Sequence, residues 1–157
     1  MAMRSLILFA TLALAACGAP TARYATEAVA VDQAKAAALI SQYRVSQGLG
    51  PLTIDAGLTR VAAAQARRNA ETGELSHDIG GDFPARLASF GAADRARAAE
   101  NLAAGSSTLE GTVGQWKASR EHNRNLLMRE ATHFGIARAD APGSRMKHYW
   151  ALVVAER

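Results

Sequence analysis

A single cysteine in 157 residues excludes an internal disulfide framework, a cysteine-ligated zinc site and an iron–sulfur centre. Aromatic residues make up only 6% of the chain and no basic stripe is interleaved with them, so the usual footprint of a nucleic-acid binder is missing. The formal net charge is a mild +4, from 18 Lys and Arg against 14 Asp and Glu. Nor is there a long apolar run or an internal repeat. The longest uncharged stretch near the start, Leu6 to Ala16, is too short to cross a bilayer core of ~30 Å as a helix. What the chain does have is 49% hydrophobic residues, which excludes a disordered polymer and suits one domain.

The opening segment, Arg4 followed by that short apolar run, reads as an export signal. It ends Leu14-Ala15-Ala16-Cys17-Gly18, which resembles the bacterial lipobox. The resemblance implies cleavage before Cys17, a diacylglyceryl group on its thiol and often a further acyl chain on the new amino terminus. Two or more chains anchor a protein stably to a membrane without spanning it. The plain alternative is an ordinary signal peptide with Cys17 near the cut. Gly18 stands where Gram-negative lipoproteins retained at the inner membrane tend to carry an acidic residue, so an outer-membrane address, facing periplasm or surface, is expected. The organisation read from the sequence is therefore a signal over 1–16, a lipidated tether over 17–30 and one domain over 31–157.

Within the domain, Asp32 can cap a helix carrying Leu39, Ile40 and Tyr43 and ending near Gly48. Asp55 can cap a second, with Leu58, Val61, Ala62 and Ala66 on one face, Arg60, Arg67 and Arg68 in water, and a stop at Gly73. Its alanine-rich face predicts a close approach to its neighbour. Residues 76–99 read as loop with a short amphipathic piece from Phe83 to Phe90. A third helix is expected from about Leu109 to Ser119, then a polar turn and the pair Leu126-Leu127. Thr132 to Ala139 and Met146 to Ala155 read as strands joined through Ala141-Pro142-Gly143-Ser144, a hairpin signal. Helices followed by paired strands give an α+β class.

Four histidines exist: His77, His122, His133 and His148. Imidazole nitrogen suits zinc and similar cations, and a carboxylate can ligate directly or fix a histidine's tautomer through its other nitrogen. Period-two alternation puts His148 on the side of Trp150, Leu152 and Val154, directed inward, and leaves His133 on the solvent side. Trp116 and Trp150 sit at apolar phase and read as core. Glu100 has a plain alternative role, organising the glycine-rich segment through loop amides, and His122 could equally meet the last carbonyls of the third helix.

The ordered set Gly48-Leu49-Gly50-Pro51-Leu52 with Asp55, Ser76-His77, Glu100-Asn101-Leu102, Trp116 to His122 with Asn125-Leu126-Leu127, and His148-Tyr149-Trp150 resembles the CAP superfamily. That superfamily comprises cysteine-rich secretory proteins, insect antigen 5 and plant pathogenesis-related proteins. The likeness is greatest to its bacterial, SCP-like branch and covers about residues 34–155. It implies an α-β-α sandwich with helices on a small antiparallel sheet, and a central cavity lined by two histidines and two glutamates whose histidines can hold a divalent cation. Carried over by position, His77 is the first histidine, Glu100 a glutamate, and His148 falls where many eukaryotic members place the second histidine. Ser119 stands at the second glutamate position, with His122 three residues on as in bacterial members, so the tetrad is incomplete.

The expected site is therefore His77, Glu100, Ser119, His122 and His148, with His77 and His148 as the cation ligands, zinc being one candidate. An open site of this kind has modest affinity. A binding module for lipid, envelope polymer or a divalent cation is the favoured reading. The alternative is a metal-assisted or acid/base hydrolase with Glu100 as base. Nucleophilic hydrolysis is poorly supported: there is no Gly-x-Ser-x-Gly elbow, and Ser119 relates to His122 only as an i, i+3 pair.

Overall fold

The computed structural model describes residues 22–157 apart from 93, 95 and 96; the signal segment and Cys17 lie outside the described residues. Three aspartates start helices as side-chain caps. Asp32 accepts from the Lys35 amide at 2.9 Å and opens α1 (Gln33–Ser46), and Asp55 accepts from the Leu58 amide at 2.8 Å and opens α2 (Ala56–Thr72). Asp82 opens the short α3 (Phe83–Ser89), whose second residue, Pro84, gives up an amide that no helical carbonyl would have met. Thr108 caps α4 (Leu109–Ala118), and Ser119 joins it directly to α5 (Arg120–Leu126).

The strands are β1 (Glu27–Val29), β2 (Thr53–Ile54), β3 (Ala98–Ala104), β4 (His133–Ala141) and β5 (Lys147–Ala155). They form one sheet in the order β1-β4-β5-β3, antiparallel throughout, with β2 running parallel to the start of β4. The β4–β5 hairpin is its centre and β3 one edge.

Alternation along β5 divides the core into two layers. Tyr149, Ala151 and Val153 face α2, meeting Leu58, Val61, Ala62 and Ala66. Trp150, Leu152 and Val154 face the other way, against Ile40 of α1, Val113 and Trp116 of α4 and Leu126 of α5. The result is the α-β-α sandwich that the family resemblance implied. On the second side Arg44 of α1 is buried among carbonyls, donating to Gly50, Leu126, Met128 and Ala131 at 2.8–3.1 Å and tying α1 to the connection after α5.

Three segments differ from the sequence reading. The end of the stretch taken as tether is a sheet strand: Glu27, Ala28 and Val29 pair with Asp140, Ala139 and Arg138. The polar turn after α4 is the helix α5, whose sequence Arg-Glu-His-Asn-Arg-Asn-Leu carries no apolar period to announce it. Around Glu100, the end of the expected loop is strand β3, disguised by alanines and lacking β-branched residues.

The close approach of α2 is realised at Gly135 of β4. A Cβ there would lie 2.1 Å from the Thr59 amide nitrogen and 2.2 Å from the Leu58 carbonyl carbon, and backbone cannot step aside as a side chain does. Gly135→Ala is expected to cost about 3 kcal/mol. Urea unfolding checks this, and an unchanged midpoint would show that α2 does not rest on β4 at this point.

Candidate functional site

The site is built around one buried carboxylate. Glu100 pairs in register with Val153 and so points, with Leu102, into the layer between sheet and α2, where only 3% of its side chain is exposed. An ionised carboxylate in that position needs a partner. Arg86 of α3 supplies it in a fork, Nη1 to Oε2 at 2.7 Å and Nη2 to Oε1 at 3.2 Å, itself 7% exposed. The same guanidinium donates to the carbonyls of His77 at 2.9 Å and Gly81 at 3.2 Å. One arginine thus holds both the carboxylate and the loop between α2 and α3, whose tight path uses φ of 95° and 98° at Gly80 and Gly81.

His77 completes the group. Its Nδ1 lies 2.8 Å from Glu100 Oε1, so the N–H donates there and Nε2 is turned outward from a side chain that is 55% exposed. This is a histidine oriented by a carboxylate, an arrangement that recurs behind both metal ligands and general bases.

His122 reaches the same edge of the sheet from the other layer. Asn101, facing away from Glu100 on β3, donates from Nδ2 to the His122 carbonyl at 2.9 Å and accepts from Asn125 at 2.9 Å, which fixes α5 beside β3. The half-buried His122 lines a shallow cavity of about 280 Å³ with Leu75, Leu102, Gln115, Trp116 and Met146. Ser119 is half-buried at the joint of α4 and α5, with no cap bond from its hydroxyl; its carbonyl accepts from the Asn123 amide.

His148 is not part of this cluster. It shares a face with Trp150 and Leu152, as its alternation predicted, but Glu100 is in register with Val153 and faces the opposite layer. His148 instead belongs to a second group: its Nδ1 is 2.9 Å from Asp140 Oδ2 and 2.8 Å from Arg138 Nη2. Arg138 clamps Asp140 at 2.6 and 2.7 Å and lies over the Trp150 ring at 5.4 Å. Asp140 is held below its ordinary range: burial opposes ionisation, and the bonds from Arg138 and His148 outweigh it. Of the other imidazoles, His122 is the one whose titration feels the charge of His77, while His148 faces the layer opposite to Glu100. His133 is half-buried, with Nδ1 2.8 Å from the Thr132 hydroxyl.

The donor set also bears on the cation expectation. Both oxygens of Glu100 are engaged, so direct ligation by that carboxylate would compete with Arg86. Among the described residues no three His, Cys, Asp or Glu side chains are grouped to hold a metal ion. The ring nitrogen of His77 not bonded to Glu100 is Nε2, so that atom is the donor the dyad leaves for a ligand. Arg86 was missed from sequence because a lone arginine in a short helix ordinarily points to water. Its signal was its place beside Leu87, on the helix's buried side.

The two imidazoles are driven apart in their titration. The bond to Glu100 raises His77, with burial opposing and Arg86 partly offsetting, whereas burial and the nearby charge of His77 lower His122. His77 therefore contributes stability that is complete below the ordinary imidazole value of 6.5 and is lost as pH rises through its elevated folded value. His122 behaves oppositely, costing stability as pH falls from 6.5 through its depressed value. Histidine NMR titrations are expected to place His77 above and His122 below 6.5, with Glu100→Gln bringing His77 down. A His77 value unmoved in Glu100→Gln would mean the bond does not set it.

Residues 37–154 match the model of the cysteine-rich secretory protein family, CAP. The uncharacterized protein YkwD of Bacillus subtilis (strain 168) is 32% identical over 119 residues, covering 74% of this chain and 46% of that protein, so the chain spans about half the length of that relative. Among solved structures, an outer surface protein from Borrelia burgdorferi is similar at a TM-score of 0.74 and 20% identity, over 85% of this chain and 99% of the other. An extracellular protein containing a SCP domain from Bacillus anthracis str. Ames is similar at 0.68 and 23% identity, over 79% of this chain and 40% of the other. At these identities the two structures speak for the fold alone.

Proposed function

The chain belongs to the cysteine-rich secretory protein (CAP) family, and on that premise we propose that it is an exported, membrane-anchored binding module of the bacterial envelope. Its site would take a divalent cation or a small polar group at the edge of β3, between His77 and His122. The observation that carries this reading is the Arg86–Glu100–His77 relay, which holds one imidazole through Nδ1 and leaves its Nε2 for a ligand. A cation held there would supply Lewis acidity; the chain's own contribution is to orient His77, lower the basicity of His122 and hold the loop through Arg86.

The lipobox-like end of the first segment supports anchoring through Cys17, with the outer membrane as the favoured address. Export also agrees with the similar structures, which are an outer surface protein of Borrelia burgdorferi and an extracellular protein of Bacillus anthracis. Lipid or envelope glycan stays within the range of ligands, because family membership does not fix a task.

A second reading, hydrolysis, is favoured by the same dyad but with changed roles. Glu100, occupied by Arg86, is the group that orients, and His77 Nε2 is the candidate base. Binding is preferred because both oxygens of Glu100, the base that hydrolysis was expected to use, are bonded to His77 and Arg86.

Isothermal titration with zinc is expected to give heats for the intact protein that His77→Ala abolishes and His148→Ala leaves in place. Identical heats for the intact protein and His77→Ala would remove the cation from the reading. Cys17→Ser is expected to move the protein from the membrane fraction to the soluble one; retention on the membrane would remove the anchor.

A further inference from the structure

The outward face of α2 carries Arg60, Ala63, Ala64, Arg67 and Arg68 at i, i+3, i+4, i+7 and i+8, one continuous stripe. Cations stand at its two ends with only methyl groups between them, so the stripe is a trough with charged ends. Two depressions follow it and share Ala64, Arg67 and Phe90. The first, of about 320 Å³, has a floor of Ala28, Ala63, Ala64 and Ala139, bordered by Phe90 and by Arg60, Arg67 and Arg138. The second, of about 220 Å³, runs on between α2 and α3 past Arg68, Arg86 and Ser89. Among the described residues no Asp or Glu lines either one; Asp55 and Glu71 stand beyond the two ends of the stripe.

The guanidinium groups are not equally available. Arg86 is spent on Glu100 and two loop carbonyls, and Arg138 on Asp140 and the Ser107 carbonyl. Arg60 gives one N–H to the Phe90 carbonyl at 3.3 Å, Arg67 has a loose contact of 3.7 Å with Glu71, and Arg68 has no hydrogen bond or ion pair among the described residues. These three are the cations placed to meet an anion, through the paired N–H bonds that guanidinium offers a carboxylate. Arg60 and Arg67 are seven residues apart, about 10 Å along the helix, which is close to the length of a disaccharide. Between them the alanine floor and the Phe90 ring match the C–H face of a sugar ring, whose hydroxyls can stay on the open side in water. A nucleic acid would bring bases, and the trough has no row of aromatic rings to stack them.

We infer that this trough binds an acidic polysaccharide, its rings lying on Ala63, Ala64 and Phe90 and its anionic groups, one disaccharide apart, meeting Arg60 and Arg67, with Arg68 adding to the field. Two charges on one chain act together, because holding the first keeps the second at high local concentration. Charge complementarity selects the anion, and the low apolar floor between the arginines selects a ring over a bare charge. The choice of a polysaccharide rests on the export proposed above; the site itself is separate from His77 and His122 and needs no cation.

The test uses the full chain carrying Cys17→Ser, with a fluorescently labelled hyaluronan tetrasaccharide as probe, which has two carboxylates one disaccharide apart. Saturable one-to-one binding is expected, at least tenfold tighter than that of the hyaluronan disaccharide with its single carboxylate. Arg60→Gln with Arg67→Gln is expected to weaken it at least tenfold, and so is Ala63→Trp, which keeps every charge but fills the floor from an exposed helix position. Circular dichroism establishes that the variants are folded, and competition on the unmutated trough gives a readout that needs no variant. There, neutral chitotetraose and a glutamate peptide with two carboxylates, each at the probe's concentration, are expected to leave the probe bound. Displacement by the peptide would show a site for charge alone, displacement by chitotetraose a site that ignores charge, and either overturns the acidic polysaccharide. Absence of saturable binding, equal affinity for the two hyaluronan lengths, or affinity unchanged in either variant overturns the inference as well. Probe binding kept in His77→Ala, and zinc heats kept in Ala63→Trp, make its failure distinct from that of the histidine site.

Discussion

The buried ion pair between Arg86 and Glu100 is the constraint on which the functional edge of the molecule rests. Two charges taken from water cost several kcal/mol each, and only close, bonded geometry offsets that cost. Here one guanidinium gathers four acceptors: both carboxylate oxygens and two loop carbonyls. The pair therefore fixes three things together: the inward direction of a glutamate on an edge strand, the seat of α3 on the sheet, and the position from which His77 faces outward. Reorienting His77 requires Glu100 to exchange partners, and Glu100 is too deeply buried to turn to solvent instead.

The sheet acts as a partition between two histidine chemistries. On one side Glu100 orients His77. On the other, Asp140 and Arg138 hold His148, with Arg138 stacked on Trp150 and bonded to the Ser107 carbonyl. Each imidazole has a carboxylate, but their surroundings differ. His77 is more than half exposed, whereas His148 is three-quarters covered and its Nδ1 sits between an acceptor and a donor. The first arrangement leaves a nitrogen available to a ligand, and the second reads as a brace for the open end of the hairpin.

Much of this architecture was legible because local chemistry announced it. Aspartates 32 and 55 cap the helices they were expected to cap, and the hairpin turn lies at Ala141 to Ser144. The order of motifs gave the family and the association of His77 with Glu100. What escaped was information that single elements do not carry. Alternation told which residues accompany His148 but not which face of the sheet Glu100 would take, since that depends on the register of β3 against β5. Strand β3 hid behind alanines, α5 behind a sequence polar all round, and β1 behind its three-residue length. Arg86 was invisible for a further reason: its partner lies 14 residues away, and a charged side chain alone gives no sign of being buried.

Arg44 is met by carbonyl dipoles, those of Gly50, Leu126, Met128 and Ala131; burial pulls its pKa down, but a guanidinium in a protein keeps its charge. Acid or base cannot discharge it, so the connector after α5 has no inexpensive way to peel away: opening would strand a guanidinium in an apolar layer and leave four oxygens bare. Four bonds from one buried side chain tie that connector and the first helix together, which makes the layer behind His122 a backstop instead of a hinge.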